Sequence, residues 1–300
     1  MTEPDLEKHL GEILALATAV TWAFAVILFK KSGEHTHPLG LNLFKNLLAV
    51  VLLVPTIWVA GETLFYPAPA EHYLLLLLSG ALGIGLADTL FFKSLNVLGA
   101  GLSAIVDCLY SPFIISLSML WLGENLSLWQ IVGSLMIVSA VLTAAKERNQ
   151  RPAEKRMIGF GFLWGALAMA TMAVGIVMAK PILDEAPLFW VTEVRLVGGV
   201  IVILLALRFH RRRKEIVQSL VGAGHRFYTI SGSLMGGYVS MILWLAGMKY
   251  TQASTAAALN QTSNLFIFIF AAMFLKEPIT RLRTLGIILG VSGAILVTFG

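Results

Sequence analysis

The chain divides into apolar windows of about 20 residues, the length of helix that crosses a hydrocarbon core about 30 Å thick. Ten such windows fit, at 11–29, 39–60, 73–93, 98–121 and 127–145, then at 158–180, 187–208, 227–248, 252–275 and 282–299. Gly, Pro and charged residues mark the joins between them. Only 13% of the residues are charged and 57% are apolar, against roughly 25% charged in an ordinary soluble domain. Lipid, not water, must therefore be the solvent for most side chains. The expected fold is an all-α integral membrane protein with ten transmembrane helices. The opening residues, MTEPDLEKHLGEIL, are acidic where a signal peptide needs a basic region, so the first window is read as a retained helix. The single cysteine, Cys108, lies inside an apolar window, so no intramolecular disulfide is expected.

The net charge of +5 raises the question of a nucleic-acid partner, which the placement of the basic residues answers. With ten spans, odd-numbered connections share one side of the membrane, while even-numbered connections and both termini share the other. Seventeen of the 22 Lys and Arg residues fall on the first side and three, Lys8, Lys180 and Lys249, on the second. The positive-inside rule makes the rich side cytoplasmic and places both termini outside, in a cell (inner) membrane. The run Arg211–Lys214 then acts as a topology anchor, and with no interleaved aromatics it gives no nucleic-acid surface. The expected partners are a small-molecule substrate and the lipid bilayer, with the chain a monomer or a homodimer.

The second half of the sequence repeats the first, at an offset of 150 near the start and 153 near the end. Gly11, Thr21 and Lys30 match Gly161, Thr171 and Lys180. Fifteen residues beyond each lysine stands an intramembrane cation, Lys45 in one half and Arg195 in the other. LNVLGAGLSAIVDCLYSPF aligns with MKYTQASTAAALNQTSNLF, which pairs Asp107 with Asn260; beyond these, Glu124 matches Glu277 and Gly133 matches Gly286. The repeats are assigned to residues 1–150 and 151–300. Five spans per repeat force the halves to cross the membrane in opposite senses, giving two inverted five-helix repeats. Many secondary transporters have this architecture, with the substrate site near the midplane between the halves.

These features resemble the drug/metabolite transporter superfamily, in its EamA-like ten-helix form. The likeness rests on Trp22, Lys30, Pro38 and Lys45, on GAGLSAIVD and its copy QASTAAALN, and on Glu124 and Glu277. It implies a secondary carrier, often an exporter of amino acids or other small metabolites. The chain departs from the usual pattern at Lys45, where an Arg is frequent, and in the added acids Asp88 and Asp107.

Asp107 is the acid that stands out. It lies eight residues into its span from Gly99, about 12 Å at 1.5 Å per residue. Asn260 is eight residues into its own span from Gln252, entering from the other face. Both therefore reach mid-depth, where an ionised acid needs water, a cation or another partner. Either Asp107 faces a polar cavity, or it makes a structural bond to a hydroxyl or to Lys45. Lys45 and Arg195 lie about 10 Å from their nearest faces, close enough to snorkel, and serve either as ligands for an anionic group or a zwitterion or as structural ion-pair members. Glu193 and Arg195, two residues apart on one helix, face different ways and need separate partners. Asp88, five residues before Lys93, is expected near the interface, with a proton relay to Asp107 as the other reading. Trp22, Tyr110, Trp244 and Phe268 serve as cavity walls or as plain packing, and Gln261 joins Asn260 as a candidate. The substrate-binding set is thus Asp107, Asn260, Lys45, Arg195, Glu193, Trp22, Tyr110, Gln261 and Trp244, with Asp107 and Asp88 as proton-coupling candidates. Gly286-x-x-x-Gly290 invites close helix contact within or between protomers, and Ser127 and Thr280 are placed to cap helices.

Two other classes share single features with this sequence. An intramembrane aspartyl protease would need Asp88 and Asp107 about 3 Å apart, yet their expected depths differ by roughly 5 Å. No H-E-x-x-H or G-x-S-x-G occurs, and one cysteine gives no basis for a metal cluster, so no enzyme activity, cofactor or metal is expected. A passive channel for small solutes remains the alternative to a coupled carrier.

Overall fold

The computed structural model describes residues 9–122, 127–146, 152–221, 226–251 and 253–299. They form helices α1 (Leu10–Gly33), α2 (Pro38–Val59), α3 (Ala70–Leu98), α4 (Ala100–Asp107, resuming as Tyr110–Leu122), α5 (Leu128–Lys146), α6 (Pro152–Glu185) and α7 (Leu188–Phe209), then α8 (Arg226–Tyr250), α9 (Ala253–Leu275) and α10 (Arg281–Phe299). A short connecting helix, Arg213–Val221, lies between α7 and α8. Eight helices, α1 to α8, are long and apolar enough to cross a membrane, and α9 contains a shorter apolar stretch, Leu259–Leu275. Large apolar side chains such as Val51, Leu74, Leu135, Leu205 and Ile288 stand exposed on the outside of the bundle. Water would penalise such a surface on every side, whereas lipid covers it at no cost. The chain is a multi-pass membrane protein.

Local sequence sets the helix ends. Pro38 opens α2 at a position where its missing N–H is not needed, and His37 Nδ1 accepts from Leu39 N at 3.2 Å. Ser127 and Gln130 exchange bonds across the first turn of α5, Gln130 N donating to Ser127 Oγ at 3.1 Å and Ser127 N to Gln130 Oε1 at 3.0 Å. Thr280 Oγ1 accepts from Arg283 N at 3.3 Å at the start of α10. Gly99 turns the chain from α3 into α4 with φ +84°, and a Cβ there would sit 2.7 Å from the Glu277 carboxylate.

The repeats interlock instead of standing side by side. Helix α1 packs on α8 and α9, and its repeat mate α6 packs on α3 and α4; α2 meets α8 while α7 meets α3. Helices α5 and α10 pair with each other. There a Cβ on Gly133 would lie 2.6 Å from Gly293 O, and one on Gly290 would lie 2.9 Å from Cys108 Sγ. The glycine face of α10 is therefore filled by helices of the same chain, and lets them approach closely.

Three irregularities interrupt the helices near the centre. Helix α3 passes through a π-helical turn, Ala81–Leu86, and α8 through another, Ser233–Val239, at matching places in the two repeats. Such turns widen the helix and frequently mark functional sites. The third has no mate. Helix α4 breaks after Asp107, because Pro112 has no N–H for Cys108 O and its ring crowds that carbonyl. Ser111 N donates to Cys108 O instead, at 3.3 Å. Leu265 occupies the corresponding place in α9, which runs unbroken.

Candidate functional site

A cavity of about 100 Å³ lies between the repeats, where both π turns and the break in α4 converge. Its polar wall comes from Thr18 of α1, Lys45 of α2, Asp88 of α3, Asp107 and Tyr110 of α4, and Asn260, Gln261, Ser263 and Asn264 of α9. Its apolar wall comes from Trp22, Phe91, Met169, Met172, Met241 and Trp244. Helices α5 and α10 contribute none of the residues around it.

Glycines in the π turns make room for the two intramembrane cations. A Cβ on Gly237 would lie 2.7 Å from Lys45 Cγ, and one on Gly83 would lie 3.5 Å from Arg195 Nη2. Each cation is thus seated against the third helix of the opposite repeat. Their bonding differs. Lys45 Nζ donates to Asp88 Oδ2 at 2.6 Å, with both residues buried. Arg195 Nε donates to Ser79 Oγ at 2.9 Å, and Ser79 Oγ donates in turn to Gly175 O at 2.6 Å. The guanidinium sits 5.7 Å from the Trp244 ring, and its Nη1 has no partner among the described residues.

Asp107 ends the first half of α4 and faces the cavity, and among the described residues nothing donates to its carboxylate. Asn260 Oδ1 and the Tyr110 hydroxyl are likewise without partners. Asn264 Nδ2 bridges Gln261 Oε1 at 2.6 Å and Cys108 Sγ at 3.5 Å, which holds α9 to the broken part of α4. Trp22 packs on Phe91 with ring centroids 5.8 Å apart.

Of the residues singled out from the sequence, Asp107, Asn260, Gln261, Lys45, Asp88, Tyr110, Trp22 and Trp244 line this one cavity. Arg195 does not line it, although it packs against Gly83 of the wall and lies 5.7 Å from the Trp244 ring; Glu193 is buried and does not line it either, with Oε2 unpartnered among the described residues. Phe268 packs in the core against Gly101. Two expectations are corrected. Asp88 is not interfacial: α3 runs on to Leu98, so Asp88 sits about 15 Å from its end. Lys93, read as the end of that span, lies 5.9 Å from the Trp164 ring. Lys45 and Arg195 do not snorkel; both are only 1% exposed and are held by bonds inside the bundle. The π turns and the methionine wall carry no residue pattern that points to them, whereas the break at Pro112 was readable from the proline itself.

Outside the cavity, Glu277 accepts from Ala100 N at 2.8 Å and from Gly101 N at 3.0 Å, so the last loop of one repeat caps α4 of the other. The preceding residue, Lys276, adopts φ +55° to aim it. Glu62 Oε2 caps α7 in the same crossed way, accepting from Phe189 N and Trp190 N at 3.1 Å each. Glu124, the mate of Glu277, lies outside the described residues.

Two interlocked helical repeats around a partly polar chamber define a multi-pass membrane protein with room for a small solute between its halves. Comparison with known proteins narrows the class. The model of the EamA-like transporter family matches twice, over residues 9–145 and 159–299. An uncharacterized transporter of Archaeoglobus fulgidus is 22% identical over 277 residues, covering 92% of this chain and 93% of its own. The protein PecM of Dickeya dadantii is 25% identical over 222 residues, 73% of this chain and 71% of its own. A solved crystal structure shares the fold with a TM-score of 0.67 over 97% of this chain and 96% of the other, at 15% identity. The chain belongs to the EamA-like transporter family, and its relatives support a role as a membrane transporter.

Proposed function

We propose that the chain is a secondary active transporter that exports small organic metabolites of the size of amino acids, coupled to protons, by alternating access. In this reading all ten helices span the membrane, the basic connections are cytoplasmic and both termini are outside, as the distribution of Lys and Arg argues. The observation that carries the proposal is Asp107, a carboxylate without a partner among the described residues, at a helix break inside the chamber between the repeats. A carboxylate in so dry a place is stable with a proton or a cation on it, and is costly when bare. Proton and solute can therefore replace one another there as the chamber opens first to one side and then to the other. The crossed packing of α1, α2, α6 and α7 on the opposite repeat supplies the surfaces over which one half would rock against the other.

Purified protein in liposomes tests this directly. A saturable flux, driven uphill by an imposed pH gradient and lost in Asp107→Asn, is expected. Linear flux indifferent to the gradient would mark a passive channel and overturn the proposal.

A further inference from the structure

We infer that the chamber selects organic ammonium ions, amines carrying an apolar or aromatic body, over zwitterions and anions of the same shape. This rests on the transport reading above and names the substrate class for that same site.

Among the described residues, three ionisable carboxylate and ammonium groups line the cavity: Lys45, Asp88 and Asp107. Lys45 and Asp88 are bonded to each other at 2.6 Å and contribute no net charge. Asp107 is left, so the chamber carries one uncompensated negative charge when Asp107 is ionised. Arg195 does not offset it from within the chamber. Its guanidinium is bonded to Ser79 through Nε, lies 5.7 Å from the Trp244 ring and packs against Gly83, and it is not among the residues of the wall. Glu193 is also outside the wall.

The unpartnered polar atoms match that charge. Asp107 and Asn260 Oδ1 are acceptors, and the Tyr110 oxygen accepts as well as donates. A group that brings several N–H donors and a positive charge suits these acceptors, and an ammonium is a compact group of that kind. A carboxylate entering the same space meets Asp107 and, among the described residues of the wall, no cation that is not already paired, so it loses its hydration without a counterion there. The remaining wall suits the body of such a ligand. Trp22, Phe91 and Trp244 offer ring faces, which attract cations, and Met169, Met172 and Met241 offer adaptable apolar contact. The internal symmetry sharpens the point: the mate of Asp107 is the neutral Asn260, so the two halves supply one acid between them.

The test uses three ligands with one phenylethyl body: 2-phenylethylamine, phenylalanine and 3-phenylpropionate. Binding to the purified full-length protein is measured by calorimetry at neutral pH. The amine is expected to bind at least tenfold more tightly than phenylalanine, with 3-phenylpropionate weakest. Asp107→Asn should weaken the amine at least tenfold, and Asp107→Glu, which keeps the charge, should retain the order. Phenylalanine binding as well as the amine would bring Arg195 into the site and overturn the inference, as would a preference for the anion or no amine binding. The ranking on the parent protein needs no variant, so a misfolded Asp107→Asn leaves the decision intact. The two readings also separate: gradient-driven transport of the zwitterion keeps the transporter and sinks the amine preference, whereas an amine that binds but is never moved does the reverse.

Discussion

Lys45 and Asp88 meet across α2 and α3 at 2.6 Å, and both are buried. A buried pair of this kind is held by its completeness, because removing one member strands the other charge in a medium that cannot solvate it.

Asp88→Asn is therefore expected to destabilise the protein by about 3–5 kcal/mol. The double change Lys45→Met with Asp88→Leu should recover most of that loss. Thermal unfolding followed by tryptophan fluorescence checks both. A double variant as unstable as the single one would show that the pair holds the helices through something other than charge balance.

Asp107→Asn should behave in the opposite way. Among the described residues no protein group donates to the carboxylate, so neutralising it strands nothing and removes the cost of a lone charge. The variant should melt at or above the temperature of the parent and have lost coupled transport. A fall of several degrees would make Asp107 a structural residue.

Pro112→Ala should mend the break in α4, since alanine restores the N–H that Cys108 O lacks. Proline in a helix interior costs about 3 kcal/mol relative to alanine, and relief of part of that should raise the melting temperature. Transport should slow, because Asp107 would be carried on a straight helix and turned from the chamber. Unchanged transport with a mended helix, seen by circular dichroism, would count against a role for the break.

His37 lies outside the membrane-spanning segments and gives the fold a pH dependence. Burial, with His210, Lys93 and Arg212 near it, holds the imidazole below the ordinary histidine range. The unfolded chain takes up this proton around pH 6.5, while the folded chain takes it up at lower pH. Stability from this group is thus complete above that range and is lost as pH falls toward the folded value. His37→Asn keeps an acceptor for Leu39 N and removes the titration, so its melting temperature should vary less between pH 7.5 and pH 5 than that of the parent. An equal slope in both would place the pH dependence elsewhere.

Both termini are expected outside the cell membrane and the connection from Lys146 to Arg156 inside it, from the seventeen-to-three division of basic residues. Reporter fusions at Gly300 and at Asn149 check this. A cytoplasmic signal at Gly300 would reverse the orientation and leave the repeat intact.

Much of the architecture is legible in the sequence because lipid leaves few choices. Apolar windows, caps at Ser127 and Thr280, and the repeat that pairs Asp107 with Asn260 all depend on local composition or on self-similarity. The pairing of Lys45 with Asp88 does not. Lys93 imitates the end of a span, since a lysine is usually found there, and that misplaced Asp88 by about a turn and a half. Arg195 illustrates a second limit: its depth follows from spacing, but whether it faces the chamber depends on Trp244, which lies on another helix and in no pattern with it. The π turns are tertiary compromises, set by how close α7 and α2 come to α3 and α8.

The crossed caps bear on how the protein is made. Ala100 N and Gly101 N, which open α4, are accepted by Glu277, and Phe189 N and Trp190 N, which open α7, are accepted by Glu62 of the earlier half. A ribosome releases α4 long before it reaches Glu277, so the first half must wait in the bilayer with that helix end unfinished until nearly the whole chain has emerged.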